Sequence, residues 1–349
     1  LAFTSAFSNW SHEPIIRLAE EVAKWTPGDL NVTFFTSGGS EANDTAFKTV
    51  RHYWNVNGKP EKKKIISRKK SYHGVAMGST SATGIPEFHT FTQSIAPDFH
   101  YVDSTVESFN EMIEKEGAHT IAAFISEPVQ GSGGVNIPEA NYFKEIKAIC
   151  EANDILFISD EVICGFGRTG TNFGMENFGI IPDIITMAKG VTSGYAPLGG
   201  MVISEKMHKE LYEKTEGNFW HGYTYSGHPT AAAVALKNLE IIKEENLIDN
   251  VNEMGKYMLE GFEWIKEQHD HVVDVRGIGL LGAISLHRAE GAEAKTPKIV
   301  QEALKRGLIC RAVVYDGQDT LAFAPPFTIT KDEMDQIIHI VNESIQAVG

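Results

Sequence analysis

The sequence predicts an α/β fold, with a large unit built on a mostly parallel sheet and a smaller C-terminal α+β unit. Three observations predict it. Short apolar runs that read as buried strands alternate with segments whose apolar positions recur every three to four residues. Polar clusters follow several of those strands, which is where open α/β sheets bind ligands. After about residue 235 the texture changes to long amphipathic helices flanking short strands. The expected division is 1–235 for the large unit and 236–349 for the small one.

Each element follows from its own residues. Positions 32–35 read as a short buried strand, and Ser40 opens a helix whose apolar residues are Ala42, Ala46, Phe47 and Val50. Ile65-Ile66 and 121–125 read as strands, and Tyr142–Ala152 as an amphipathic helix. The apolar runs 155–158 and Ile184–Met187 are of the kind a parallel sheet buries on both faces. In the small unit, helices are predicted near 229–245, 247–268 and 331–347, with strands around 272–275, 280–284 and 320–324. No internal repeat or low-complexity stretch interrupts the pattern.

Composition narrows the function classes. The chain has 349 residues and a formal net charge of −15, so it repels nucleic-acid backbones. The basic clusters Lys62-Lys63-Lys64 and Arg68-Lys69-Lys70 read as a solvated face before a strand. Cys150, Cys164 and Cys310 have neither zinc nor redox spacing; no metal site is expected, and a reduced cytoplasmic protein fits best. No apolar run reaches the roughly 18 residues of a membrane span, and no signal peptide is read. The chain opens at Leu1-Ala2-Phe3 without Met, so residues upstream are expected.

Four clusters carry chemistry. Ser37-Gly38-Gly39-Ser40-Glu41-Ala42-Asn43 joins a strand to a helix; its glycines allow close backbone approach and the helix start offers free N–H groups to an anion. Ser40 can cap the helix or bind a phosphate oxygen, and no Gly-Lys-Ser/Thr follows to make a nucleotide P-loop. Ser71-Tyr72-His73-Gly74 offers an aromatic ring to a flat ligand, or is an ordinary loop aromatic. At the end of the 155–158 run, Ser159-Asp160-Glu161-Val162 places two carboxylates where a charge needs a partner, such as a cationic heterocycle nitrogen. The alternative is an Asp that caps the next turn. Met187-Ala188-Lys189-Gly190 puts a lysine at a strand mouth, where desolvation makes an amine nucleophilic unless the side chain snorkels to solvent. A phosphate cradle, an aromatic platform, a buried Asp and a strand-end Lys together suit pyridoxal 5'-phosphate (PLP).

In their order, these motifs carry a resemblance. The chain is similar to the class III aminotransferases, a subgroup of the fold-type I PLP enzymes, over nearly its whole length. The match includes TSGGSEAND (36–44), SYHG (71–74), EPVQG (127–131), SDEVICGFGRTG (159–170), MAKG (187–190), GYTYSGHP (222–229) and RGIGLLGA (276–283). The resemblance implies that Gly39 and Ser40, with Gly38 in the same turn, bind the cofactor phosphate. It implies that Tyr72 stacks on the pyridine ring beside His73, that Val162 packs on the opposite face, and that Asp160 pairs with the ring nitrogen. Glu127 supports the site near that ring. Lys189 forms a Schiff base and afterwards shuttles the proton in a ping-pong transamination. Thr224 is implied to reach the phosphate of the other subunit, so a homodimer or tetramer is expected.

Two departures point within the family. Ser132 stands where members using 2-oxoglutarate often carry Glu, and Ile163 where they often carry Gln. The wording of 159–170 and GLICRAVVYDGQDTLAFAPPF (307–327) is similar to the ω-amino acid:pyruvate group, including taurine–pyruvate aminotransferases. In that group Arg311 would bind the keto acid carboxylate and swing away for amines; the alternative is a salt bridge. Taurine, β-alanine and putrescine-like amines are the expected donors, and pyruvate the acceptor. Arg168 is expected to serve structure near the subunit interface. Trp10 is placed among the substrate-binding residues beside an N-terminal arm expected upstream, and 286–297 is shorter than in relatives. A 7,8-diaminopelargonate aminotransferase would depart from the SEAND wording, an aminomutase would lack GFGRTG, and lost turnover would show at Lys189 or Asp160.

Overall fold

Along the chain the elements are α1 (Glu13–Trp25), β1 (Leu30–Thr36), α2 (Gly39–Val56), β2 (Lys64–Arg68), α3 (Met77–Ala82), β3 (Phe99–Val102) and α4 (Val106–Glu116). There follow β4 (Ile121–Ser126), α5 (Tyr142–Ala152), β5 (Leu156–Asp160), β6 (Ile184–Met187), β7 (Gly199–Ser204), α6 (Glu205–Lys214) and α7 (Pro229–Glu244). The last are α8 (Leu247–Gln268), β8 (Val272–Ile278), β9 (Leu281–Leu286), α9 (Thr296–Lys305), β10 (Arg311–Val313), β11 (Thr320–Phe323) and α10 (Lys331–Val348). This computed structural model describes residues 11–92 and 94–349, and Trp10 lies outside them.

β1 to β7 form one sheet in the order β1-β7-β6-β5-β4-β2-β3. β7 runs against its neighbours β1 and β6, and every other pair is parallel. Helices cover both faces, which is why the central strands are apolar throughout. All of β4 is buried. Ile125 meets Ala46, Phe47 and Val50 of α2, whereas Phe124 meets Phe143 and Ile146 of α5 on the other side. Burying one such side chain is worth about 2 kcal/mol.

β8 to β11 make a second, antiparallel sheet in the order β10-β11-β9-β8. Its core is shared with α8, α9 and α10. Thr330 and Glu333 cap α10 reciprocally, with Glu333 N donating to Thr330 Oγ1 (3.3 Å) and Thr330 N to Glu333 Oε2 (2.8 Å). The division expected at 235/236 falls inside α7, a continuous helix that packs Ala231, Ala235 and Leu239 with Leu18 and Val22 of α1. Leu247 still belongs to that core, and Val251 already belongs to the core of the small sheet. We therefore propose that the units part in the first turn of α8.

The basic clusters are not a uniform solvated face. Lys62 is only 3% exposed, and its Nζ donates to the carbonyls of Ala118, Ile121, Asn153 and Asp154 at 2.8–3.2 Å. Arg68 is also buried, against the rings of Tyr142 and Phe143, and donates to Glu127 O. Lys63, Lys69 and Lys70 do reach solvent, in exposed ion pairs. Unpaired carbonyls at the chain turns, invisible to composition, draw Lys62 inward.

Candidate active site

Parallel strands end together, so residues following β2, β4, β5 and β6 converge at one edge of the large sheet, opposite the first turn of α2. A cavity of about 450 Å³ lies there. Gly38, Gly39, Ser40, Tyr72, His73, Glu127, Asp160, Val162 and Lys189 all line it.

Asp160 ends β5 and is 2% exposed. Its Oδ2 accepts from His73 Nδ1 (2.7 Å) and Asn43 Nδ2 (2.8 Å), and its Oδ1 from Val162 N (3.1 Å). The turn-capping bond and the buried carboxylate are thus both present, and Oδ1 keeps acceptor capacity beyond its one bond. With Nδ1 donating to the carboxylate, the neutral form of His73 leaves Nε2 buried and without a partner among the described residues.

Lys189 follows β6 in a short 3-10 turn and adopts φ 41°, a left-handed conformation that costs energy for a residue with a side chain. Its side chain is accessible through the cavity but recessed among protein atoms. Burial lowers its pKa below the ordinary lysine value, while Asp160 and Glu127 act in the opposite direction. The lowered value increases the share of free amine at neutral pH.

The remaining walls are fixed by specific contacts. Glu127 accepts from Tyr72 N (3.0 Å) and Gly131 N (3.2 Å), tying the aromatic loop to the loop after β4. Burial pushes its carboxyl up to about 7. Ser40 does not cap α2; its Oγ accepts from Val75 N at 3.1 Å, which leaves its hydroxyl proton to donate. A Cβ on Gly39 would lie 2.9 Å from both methyls of Val162, so only glycine lets α2 approach the end of β5 this closely. Gly74 adopts φ 127°.

Other predicted residues stand apart. Arg311, exposed at the start of β10, donates from Nη1 to Ser132 Oγ at 3.4 Å. It has no acidic side chain within 4.0 Å among the described residues, and its charge reaches Tyr72 and Lys189. Arg168 binds Leu280 O (2.8 Å) and Pro325 O (2.7 Å) and packs on Phe327, so it joins the two units of one chain. Thr224 is exposed on the segment before α7 and does not line the cavity.

Sequence reasoning missed Asn43, which bonds Asp160, and Thr186, which bonds Asn43, and the aromatic wall beyond Tyr72. Phe88 packs on Tyr72 at 5.1 Å and on Tyr315 at 5.9 Å between ring centroids. The isolated polar residue in the apolar run Ile184–Met187 was the available signal for Thr186. Phe88 and Tyr315 lie in short 3-10 turns that leave no periodic signal.

The donor set fits PLP. The free N–H groups of the first turn of α2 and the Ser40 hydroxyl suit a phosphate. A buried carboxylate in the same cavity suits a pyridinium, and an amine of lowered pKa lines it too. Together the fold and cavity define a fold-type I PLP enzyme. The family model for Aminotransferase class-III matches residues 2–345. The putrescine–pyruvate aminotransferase of Pseudomonas aeruginosa is 38% identical over 99% of this chain and 80% of its own length. A transaminase from the marine bacterium Virgibacillus superposes with a TM-score of 0.97 at 52% identity, over 100% of this chain and 82% of that one. A PLP-bound amine transaminase from an uncultivated Pseudomonas species gives 0.93 at 33% identity, over 100% and 84%. This chain belongs to the class III aminotransferases and is a PLP-dependent transaminase.

Proposed function

We propose that the enzyme moves an amino group from an ω-amino acid or amine, of the taurine, β-alanine or putrescine kind, to pyruvate. The observation that carries this reading is Arg311 facing Ser132 at 3.4 Å, with no acidic side chain within 4.0 Å among the described residues, which leaves the guanidinium available to a substrate carboxylate. A guanidinium whose charge reaches Tyr72 and Lys189 offers a two-pronged seat to a keto acid carboxylate. Tyr72, Phe88 and Tyr315 give the donor an apolar wall. The putrescine–pyruvate relative supports the same donor and acceptor classes.

The chain's own residues would divide the work as follows. Gly38, Gly39 and Ser40 bind the phosphate, and Tyr72 and Val162 clamp the ring between them. His73 and Glu127 hold the ring's surroundings in place. Asp160 Oδ1 holds the proton on the ring nitrogen. When bound, the cofactor supplies an electron sink for the electrons released at the donor carbon. Lys189 holds the cofactor through Nζ. The same Nζ takes the proton from the donor's amine-bearing carbon and later returns one to the carbonyl carbon of the keto acid. Thr224, exposed on its own subunit, completes the phosphate site of a second copy, which makes the working form a homodimer. The unpaired Cys150, Cys164 and Cys310 accord with a reducing cytoplasmic setting.

Alanine formation from pyruvate with taurine, β-alanine and putrescine tests the substrates, and use of 2-oxoglutarate alone would overturn the reading. Arg311→Ala should raise KM for pyruvate about tenfold to a hundredfold, the worth of a charge-assisted hydrogen bond. The amine half-reaction, followed by cofactor absorbance, should change little. Equal loss in both half-reactions would contradict the role given to Arg311.

A further inference from the structure

We propose that Asn43, oriented by Thr186, is a positioning residue that fixes the Asp160 carboxylate against the cofactor ring. The proposal rests on the pairing of Asp160 with the ring nitrogen described above.

Asn43 is 1% exposed in the second turn of α2 and lines the cavity. Its Nδ2 donates to His73 O (2.7 Å) and to Asp160 Oδ2 (2.8 Å), so both amide hydrogens are committed. Its Oδ1 accepts from Thr186 Oγ1 at 2.7 Å. Only one amide orientation satisfies this set. A flipped amide would turn Oδ1 toward two groups that can only accept. The Thr186 hydroxyl, wholly buried in β6, supplies the donor that Oδ1 needs in the observed orientation.

Two consequences follow. First, Oδ2 of Asp160 accepts from both Asn43 and His73, whereas Oδ1 accepts only from Val162 N, so Oδ1 is the oxygen with capacity left for a ring nitrogen. Second, His73 O belongs to the residue after Tyr72, so one amide spans the aromatic platform and the ring-pairing carboxylate. Beside the direct bond from His73 Nδ1 to Asp160, this amide is a second tie that sets the spacing between the two groups that clamp and charge the ring.

The test uses the full-length holoenzyme. Asn43→Leu removes the amide at similar volume, Thr186→Val removes the hydroxyl isosterically, and Thr186→Ser restores it. The readout is the midpoint of the pH titration of the bound cofactor's visible absorption, together with kcat and KM. A carboxylate that loses a donor holds its charge less well, so Asn43→Leu should move the midpoint upward by about half a unit or more. It should lower kcat about tenfold, the worth of one hydrogen bond of about 1.4 kcal/mol, with amine KM nearly constant. Thr186→Val should shift the midpoint the same way by less, and Thr186→Ser should recover the parental midpoint. Unmoved midpoints in Asn43→Leu and Thr186→Val overturn the proposal, even if both lose stability. Should Asn43→Leu fail to fold, Thr186→Val decides alone. Asp160→Asn separates the two levels. If it too leaves the absorption unchanged, the pairing of Asp160 with the ring is wrong. If it alters the absorption while Asn43→Leu does not, only the role of Asn43 falls.

Discussion

Glu161 shows how a single residue can carry cost and order together. It lies next to Asp160, is fully buried, and accepts from Ser159 Oγ (3.0 Å), Met175 N (3.0 Å) and Gly174 N (2.7 Å). Burial pushes its carboxyl up to about 7 from 4.5, against those donors. The folded state thus holds this proton better than the unfolded chain does. Its stability contribution is complete below about pH 4.5 and is lost as pH rises through about 7, by at most about 3 kcal/mol. Glu161→Gln should remove that slope between pH 5 and 7.5 in denaturant unfolding. It should also add a pH-independent penalty, since its amide would face a backbone N–H. An unchanged slope would contradict the assignment. At this scale Asp160 and Lys189 were legible because each ends an apolar run, where a charge stands out. Asn43 was not, because within Ser40-Glu41-Ala42-Asn43-Asp44 it reads as one more polar residue at a helix start.

Elements were legible where burial is two-sided or periodic, as for β4, β5, β6, α5 and α8. β7 was missed because its two glycines, Gly199 and Gly200, depress strand propensity. A Cβ on Gly199 would lie 2.7 Å from Gly38 O, so the strand pays in propensity for closeness to the α2 turn. β3, at the sheet edge, is half-exposed and carries no clear alternation. Lys62 was misread for a different reason. Its value lies in the carbonyl oxygens it collects from the turns around β4 and β5, a tertiary fact. Burial lowers its amine to about 8, and those oxygens favour the charged form. Lys62→Met would leave the carbonyls unpartnered and should destabilise the protein by about 3 kcal/mol in chemical denaturation. Activity per folded molecule should hold, because Lys62 lies outside the cavity. A loss under about 0.5 kcal/mol would show the cluster to be solvated instead.

For the whole molecule, the two sheets follow the change in texture, whereas the seam we propose in the first turn of α8 leaves no mark in the sequence, because helical periodicity runs on from α7 into α8. Among the described residues no helix is long and apolar enough to cross a membrane. Tyr195, Trp220 and Tyr225 are 85%, 87% and 65% exposed. We propose that a second copy covers these rings and receives Thr224. Sedimentation of the holoenzyme checks this, and a fully active monomer would contradict it. Everything assigned to the cavity turns on Lys189. The holoenzyme should absorb visible light, and borohydride followed by proteolysis and mass spectrometry should find the cofactor's mass on Lys189. Cofactor fixed to another lysine, or to none, would contradict it.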